Sequence, residues 1–326
     1  MSWAPWEQAW QGALYGEHGF YRSPGGPAAH FATSAQGIPG GGALLATAVV
    51  ALARQHGARH IVDFACGRGE LITQIRAAAP DLELTAVDIV DRPVGIPQDV
   101  AWITGTGGTA VPPSLHGLSD ALVLAHEWLD VVPCPVLQHD GRRLRVVEVD
   151  EDGTERLGAS ATRADRRWCE DNWPGWDVAH ARVEVGLTRD AAYAELRRSV
   201  RSGVLVTTDY GHLRSARPGA GTLMGYRDGQ ARPPLPDGGT DITAHVAMDT
   251  LGAPRLVRQR DLFAELGIRP DAADDALART NPPAYLRSLA LRGAYSALTA
   301  RGGLGGFWWS LDPVSRRPDA VTAASC

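Results

Sequence analysis

The sequence predicts an α/β protein built on a doubly wound, Rossmann-like parallel sheet that carries an inserted β-rich subdomain. Three observations lead there. Short apolar runs of the kind that form buried parallel strands recur at 60–66, 84–88, 101–104, 120–125 and 203–209, separated by segments long enough for crossover helices. The first run passes through Asp63-Phe64-Ala65-Cys66 into the turn Gly67-Arg68-Gly69 and then into a helix-like segment from Glu70. Two glycines at the carboxyl end of a strand let the backbone approach a ligand closely. From Pro135 to about Thr188 the alternation of strand and helix stops: Arg143 to Val149 alternates polar and apolar residues, Asp152-Gly153 makes a turn, and Trp168, Trp173 and Trp176 follow.

Taken in chain order, residues 1–55 read as an N-terminal flap and helix. Positions 10 to 42 are rich in glycine, proline and aromatic residues and suit an irregular cover over a cleft, and Ala43 to Gln55 is an alanine-rich helix. Residues 56–134 are the cofactor-binding half of the sheet, 135–188 the β-rich insertion, and 189–326 the remainder of the sheet. The tryptophans of the insertion fit core positions better than an acceptor-binding wall, since large aromatics bury most area. After the fifth strand a connection from Tyr210 to Thr240, rich in glycine, proline and arginine, is long enough to be functional. A helix from about Pro283 to Ala300 and an antiparallel edge strand at Phe307 to Leu311 complete the expected architecture.

The chain of 326 residues is 44% hydrophobic, enough for a substantial core, and its net charge of −5 offers no basic footprint for nucleic acid. Cys66, Cys134, Cys169 and Cys326 lie far apart and never at metal-ligand spacing, so neither a metal site nor a disulfide framework is expected. The N-terminus lacks the basic and apolar regions of a secretory signal, and no apolar run reaches membrane-spanning length. A cytoplasmic protein without membrane or nucleic-acid partners is therefore expected, and a homodimer is compatible with the chain.

About twenty residues beyond the glycine turn, Leu84-Thr85-Ala86-Val87-Asp88 ends a second strand in a carboxylate, which can accept hydrogen bonds from both ribose hydroxyls of an adenosine moiety. The third glycine of the dinucleotide fingerprint is replaced by Ile72, which argues against a diphosphate and against a nicotinamide-dependent oxidoreductase. S-adenosylmethionine fits better, because its sulfonium and amino group are attracted by acids such as Asp63. The expected cofactor site comprises Asp63, Ala65, Gly67, Gly69, Asp88 and Ile89. Past the fourth strand, Glu127 and Asp130 stand at the carboxyl edge where open α/β sheets bind ligands, suited to a cationic acceptor or, alternatively, to capping the next helix. His126 offers a general base, and Tyr210 and His212 return to the same edge after the fifth strand. Asp241 and His245, four apart, would share one face of a helix as a hydrogen-bonded pair.

Four separated blocks resemble the MidA-like S-adenosylmethionine-dependent methyltransferases, a family that includes mitochondrial complex I assembly factors acting on a protein arginine. They are Gly19-Phe20-Tyr21 with His30-Phe31-Ala32-Thr33-Ser34; the glycine motif through Leu71; Ala125-His126-Glu127-Trp128-Leu129-Asp130-Val131-Val132-Pro133; and the series Asp209-Tyr210-Gly211-His212, Gly221 to Arg227 and Asp241 to Val246. The resemblance implies a class I methyltransferase fold, with Thr33 and Ser34 covering the methionine end of the cofactor; from their position at the sheet edge, Glu127, His126 and Asp130 are the catalytic candidates, with Tyr210, His212 and His245 as acceptor contacts. Ala65 stands where the family usually has glycine, His126 where it has asparagine, and Asp88 where glutamate is commoner. Because the departure at His126 falls beside the acceptor, a small-molecule acceptor is favoured over a protein arginine. A non-catalytic assembly factor retaining the fold is the remaining alternative.

Overall fold

Seven strands form one sheet in the computed structural model, which describes residues 2–23, 37–272 and 276–315. They are β1 (His60–Phe64), β2 (Glu83–Asp88), β3 (Val100–Thr104), β4 (Ala121–His126), β5 (Gly203–Asp209), β6 (Arg255–Arg258) and β7 (Trp308–Val314). Their order across the sheet is β3-β2-β1-β4-β5-β7-β6. The first five are mutually parallel, and β7 runs antiparallel to both β5 and β6. The order reverses between β1 and β4, where the connections leave in opposite directions and a crevice opens at the carboxyl ends.

Both faces are covered, as the uninterrupted apolar strands require. Helices Gly41–Gln55, Glu70–Ala78 and Gln259–Glu265, together with the end of Pro282–Thr299, pack on one face against Ile61, Leu84, Leu122 and Val206. Helix Leu187–Ser199 and residues Val246, Met248 and Leu251 cover the other, against Val62, Val123 and Leu205. Only the β1–β2 crossover among the first three is an α-helix: β2 to β3 runs through turns, and β3 to β4 through the 3-10 turn Pro113–Leu115. Pro93, Pro97, Pro112 and Pro113 break helix formation there by removing amide donors. The strand at 308–314 is longer than expected and lies one position in from the edge. The true edge, Arg255–Arg258, has four residues with an arginine at each end, too short and polar to stand out in the sequence but suited to an exposed edge.

The segment after β4 forms a separate antiparallel sheet of Val136–His139, Leu144–Val149, Glu155–Ser160 and Arg182–Glu184, joined at its edge by Ala4–Pro5. Trp168 and Trp173 are buried against Leu137 and Val183, so they are core residues of this layer. Instead of an irregular flap from residue 10, the N-terminus forms a helix, Trp6–Tyr15, whose Trp6, Trp10, Ala13 and Leu14 are buried against Val136, Val147 and Val149. That spacing of four, three and one is a helical stripe. The connection after β5 is folded too: Gly211–His212 pairs with Val246–Ala247, and Met224–Arg227 lies between Gln230–Arg232 and Asp241–Thr243. Asp241 is thus in a strand, where Ile242 and Thr243 favour extended backbone, and it shares no helix face with His245.

None of the described helices is long and apolar enough to cross a membrane, and no group of three potential metal-ligating side chains occurs among the described residues. Cys66, Cys134 and Cys169 are free thiols, and Cys326 lies outside the described residues.

Where β1 turns into its helix, Ala65 has φ +58°, a left-handed conformation that crowds Cβ against the following carbonyl. Ala65→Gly should therefore raise unfolding stability by about 1 kcal/mol, a gain measurable by urea denaturation. Unchanged or lower stability would show that the turn is not strained.

Candidate functional site

A single cavity of about 680 Å³ opens at the carboxyl ends of β1, β2, β4 and β5. At one end lies the glycine turn. Gly67 and Gly69 have φ of +61° and +81°, which L side chains rarely adopt. A Cβ on Gly69 would also stand 2.4 Å from Ile96 Cδ1. Gly69 itself does not line the cavity, and it sets the direction in which helix Glu70–Ala78 leaves the turn.

Asp88, at the end of β2, ties this turn to the neighbouring strand. Its Oδ2 accepts from the Gly67 amide at 2.7 Å, and its Oδ1 accepts from the Ile89 amide at 2.7 Å and the Val90 amide at 3.3 Å. Burial pushes its carboxyl up to about 6 even though these amides favour the ionised form. Oδ1, with two amide donors, has both lone pairs engaged, whereas Oδ2 retains capacity for one further donor from the cavity. Asp63, inside β1, is 2% exposed, and its Oδ2 is shielded from solvent without a hydrogen-bond partner. Burial, followed by the charges of Asp88 and Glu70, pushes it up to about 8. An unpaired buried carboxyl oxygen on a cavity wall calls for a cationic or donor group from a ligand. A nucleoside carrying an ammonium and a sulfonium meets both requirements: a hydroxyl donor at Asp88 and positive charge at Asp63.

At the other end, β4 finishes in His126 and Glu127. Glu127 has φ +53°, and its amide donates to Thr208 O at 2.8 Å, so this strained residue is held by β5. The following 3-10 turn, Leu129–Val131, presents the amides of Leu129 and Asp130 to Asp209 Oδ2 at 2.9 and 3.2 Å. Asp209, rather than Glu127 or Asp130, satisfies these amide donors. Asp130 Oδ2 accepts from the Tyr210 hydroxyl, while its Oδ1 is buried with no partner. Behind the turn the buried Arg189 donates to Val132 O at 3.0 Å, His245 O at 2.9 Å and Asp130 O at 2.9 Å. Burial raises Asp130, Asp209 and Asp241, each further raised by neighbouring carboxylates. Burial lowers His126 to about 4, leaving a neutral imidazole at neutral pH whose Nδ1 is 3.5 Å from Glu127 Oε1.

Of the residues expected from sequence, Asp63, Ala65, Gly67, Asp88, Ile89, His126, Glu127, Asp130, Tyr210 and His245 share this one cavity. Thr33 and Ser34 lie outside the described residues. His212 does not line the cavity: its ring meets Trp173 edge-on at 5.0 Å, and Arg217 Nη1 lies 2.9 Å from its Nδ1. Burial, then the positive charge of Arg217, lowers it to about 3. Asp241 and His245 do not pair; Asp241 accepts from the Tyr21 hydroxyl at 2.9 Å, and His245 meets Tyr210 edge-on at 5.2 Å. The lining residues that sequence reasoning missed include Tyr15, Tyr21, Tyr226, Phe307 and Asp241. Tyr21, Tyr226 and Asp241 sit inside recognised blocks, whereas Tyr15 and Phe307 had no signal beyond being aromatic. Tyr15 reaches the site because Gly107 has no side chain: a Cβ there would stand 2.7 Å from the tyrosine ring and 2.9 Å from Ile89 Cδ1.

A parallel sheet ordered β3-β2-β1-β4-β5 and extended by an antiparallel β7 and β6, with a cavity at its carboxyl edge, is the class I methyltransferase fold. The sequence profile of the S-adenosyl-L-methionine-dependent methyltransferase family Methyltransf_28 matches residues 77–255, more than half of the chain, and the chain belongs to this MidA-like family. A COG1565 superfamily member from Burkholderia thailandensis, bound to S-adenosyl-homocysteine, shares the fold with a TM-score of 0.73 at 21% identity, over 97% of this chain and 89% of its own. A native crystal structure of a COG1565 superfamily protein from the same organism gives a TM-score of 0.71 at 21% identity, over 97% and 88%. No protein of curated function matches the sequence. The chain is an enzyme that uses S-adenosylmethionine to methylate an acceptor.

The buried acids set a pH dependence. Unfolded, Asp63 and Asp241 ionise near pH 4; folded, both are pushed up to about 8. Between these values the folded state holds more protons than the unfolded, so their effect is loss of stability as pH rises through the window. His56, His60, His126, His212 and His245, all lowered, act in the opposite sense only below about pH 6.5, where unfolded histidines charge. The Tm of the ligand-free protein should therefore fall between pH 7 and pH 8.5, and Asp63→Asn should flatten that fall. A wild-type Tm that is level or rising over this range would contradict the buried-acid account.

Proposed function

We propose that this methyltransferase acts on a small molecule in the cavity, beside a cofactor held by Asp63, Ala65, Gly67, Asp88 and Ile89. The observation that supports this most strongly is continuity: one cavity contains both the Asp88 end and the Glu127–Asp130 end. Pockets of this size suit small ligands and bury most of their surface.

The bound cofactor supplies an electrophilic methyl group on a sulfonium centre. Asp88 would hold a ribose hydroxyl through Oδ2, and the left-handed backbone at Ala65 and Gly67 would let the cofactor approach closely. Asp63 would pair with its amino group, releasing the carboxyl proton to solvent. At the opposite end Glu127 and Asp130 orient the acceptor by hydrogen bonding and charge, and the rigid β4–β5 edge holds both against thermal displacement. Such positioning is the principal lever on a displacement between two bound partners. Neutral His126 serves as a hydrogen-bonding partner of Glu127. Tyr210 and His245 wall the acceptor side. A protein arginine is the second reading, supported by the carboxylates of Glu127 and Asp130, which can engage a guanidinium.

Glu127→Gln should leave S-adenosylmethionine affinity within about twofold while lowering turnover by about 10²-fold or more, since it removes charge only on the acceptor side. Asp88→Ala should weaken nucleoside binding by about 10- to 100-fold, through lost charge-assisted hydrogen bonds. Calorimetry and single-turnover rates separate the two. Incubation of the enzyme and methyl-labelled cofactor with a cell extract split by mass should place the label in the low-mass fraction. Label confined to the protein fraction would overturn the small-molecule reading.

A further inference from the structure

The strand Asp241–Thr243 brings another acid to the cavity. Alternation along the strand sends Ile242 into the apolar cluster beneath the N-terminal helix, where Trp10 Nε1 donates to its carbonyl at 2.8 Å, and leaves Asp241 and Thr243 on the cavity face. Asp241 stands opposite Tyr226 in the antiparallel pair with Met224–Arg227, which puts the two side chains on the same face. The residue is 3% exposed, and its Oδ1 accepts from the Tyr21 hydroxyl at 2.9 Å. Its Oδ2 takes no hydrogen bond from the described residues, yet it is not shut away from solvent as Asp63 Oδ2 and Asp130 Oδ1 are. Oδ2 is thus the atom that Asp241 presents to the cavity.

The charge state of this carboxyl decides what it recognises. Burial, then Asp130, push it up to about 8 against the Tyr21 hydrogen bond, and Glu127 adds to the rise; none of these neighbours is a cation. At neutral pH the group is chiefly an uncharged acid. Because Tyr21 donates to Oδ1, that oxygen is the carbonyl of the acid and the proton resides on Oδ2. A carboxyl kept neutral by burial is a hydrogen-bond donor, and a donor in so dry a place calls for an accepting atom. An entering cation is better met by Glu127, whose side chain is 20% exposed. We infer that Asp241 is a substrate-binding residue whose Oδ2–H donates to an uncharged carbonyl oxygen of the molecule being methylated, with the flat part of that molecule along the rings of Tyr21 and Tyr226. This rests on the small-molecule reading above and narrows it to carbonyl-bearing compounds. The proton stays on Oδ2 throughout, so Asp241 orients the substrate and takes no part in bond making. Tyr21 is a positioning residue, since its hydroxyl selects the oxygen that carries the proton.

Three aromatic probes of matched size test this: 4-hydroxyacetophenone, which carries a carbonyl oxygen; 4-isopropylphenol, which lacks it; and 4-hydroxybenzamidine, a planar cation at neutral pH. Each is titrated into full-length protein saturated with S-adenosylhomocysteine, followed by NMR. The ketone should bind about tenfold more tightly than either other probe, because the isopropyl group leaves the buried O–H unpaired and the amidinium presents only donors. Asp241→Asn, whose amide N–H replaces the O–H while its carbonyl still accepts from Tyr21, should hold the ketone within about threefold, whereas Asp241→Leu should weaken it by about tenfold and level the three probes. Both variants should bind S-adenosylhomocysteine within about twofold of wild type. The infrared difference spectrum at neutral pH should contain a protonated-carboxyl C=O band that moves to lower frequency with the ketone and is missing in Asp241→Asn, a signal that a purely structural role would not produce. Preference for the amidine, loss of the ketone in Asp241→Asn, or equal or absent binding of all three probes overturns the carbonyl assignment, while retained S-adenosylhomocysteine binding leaves the cofactor site standing. Methyl label confined to the protein fraction of the cell extract removes the small-molecule reading beneath it.

Discussion

The acceptor half of the site depends on how two main-chain segments are clamped across the carboxyl ends of β4 and β5. Asp209 gathers the amides of Leu129 and Asp130 on one oxygen, and Arg189 gathers three carbonyls from residues 130, 132 and 245. Amides and carbonyls in this dry region would each cost free energy if left unpaired. The two side chains satisfy them from opposite sides, and in doing so fix the direction in which Glu127 and Asp130 leave the backbone. The positive φ of Glu127 is tolerated because its own amide is committed to Thr208 on the adjacent strand. Rigidity of this kind suits a reaction in which placement of two bound partners matters more than proton traffic.

Charge is distributed unevenly around the cleft. Asp63 and Asp88 stand at the nucleoside end, and Asp130, Asp209 and Asp241 are buried at the other. Burial alone makes each a reluctant anion, and proximity makes them more so. The arrangement is costly in the absence of ligand and becomes favourable when positive charge enters the cleft. The walls of the cleft come from distant parts of the chain: the N-terminal helix contributes Tyr15, the following turn Tyr21, and the strand Met224–Arg227 contributes Tyr226.

The parallel core was legible because its strands are buried on both faces and therefore read as apolar runs, and because a glycine turn followed by a distant acid has a direct chemical meaning. The strands at 60–64, 83–88, 121–126 and 203–209 lie where those runs place them. Less was legible where structure depends on partners remote in sequence. Arg255–Arg258 is a strand only because β7 supplies its hydrogen bonds, and Asp241 is extended because Met224–Arg227 lies beside it. Trp6 and Trp10 mark a helix whose partner surface belongs to an insertion more than a hundred residues away. Similarly, the coupling of Asp209 to the 129–130 amides has no local sequence signature, although the acid itself lay within a recognised block.

The meeting of Tyr15 with Gly107 has a consequence for how this architecture can be taken apart. The aromatic ring occupies the space that any larger residue at position 107 would need, and Ile89 closes the same gap from the cofactor side. The amino-terminal helix, the loop after β3 and Ile89 therefore form one interlocking joint. A chimera that borrows a new leading helix from another scaffold, in the hope of reshaping the pocket mouth, must bring a compatible loop with it or lose the seal.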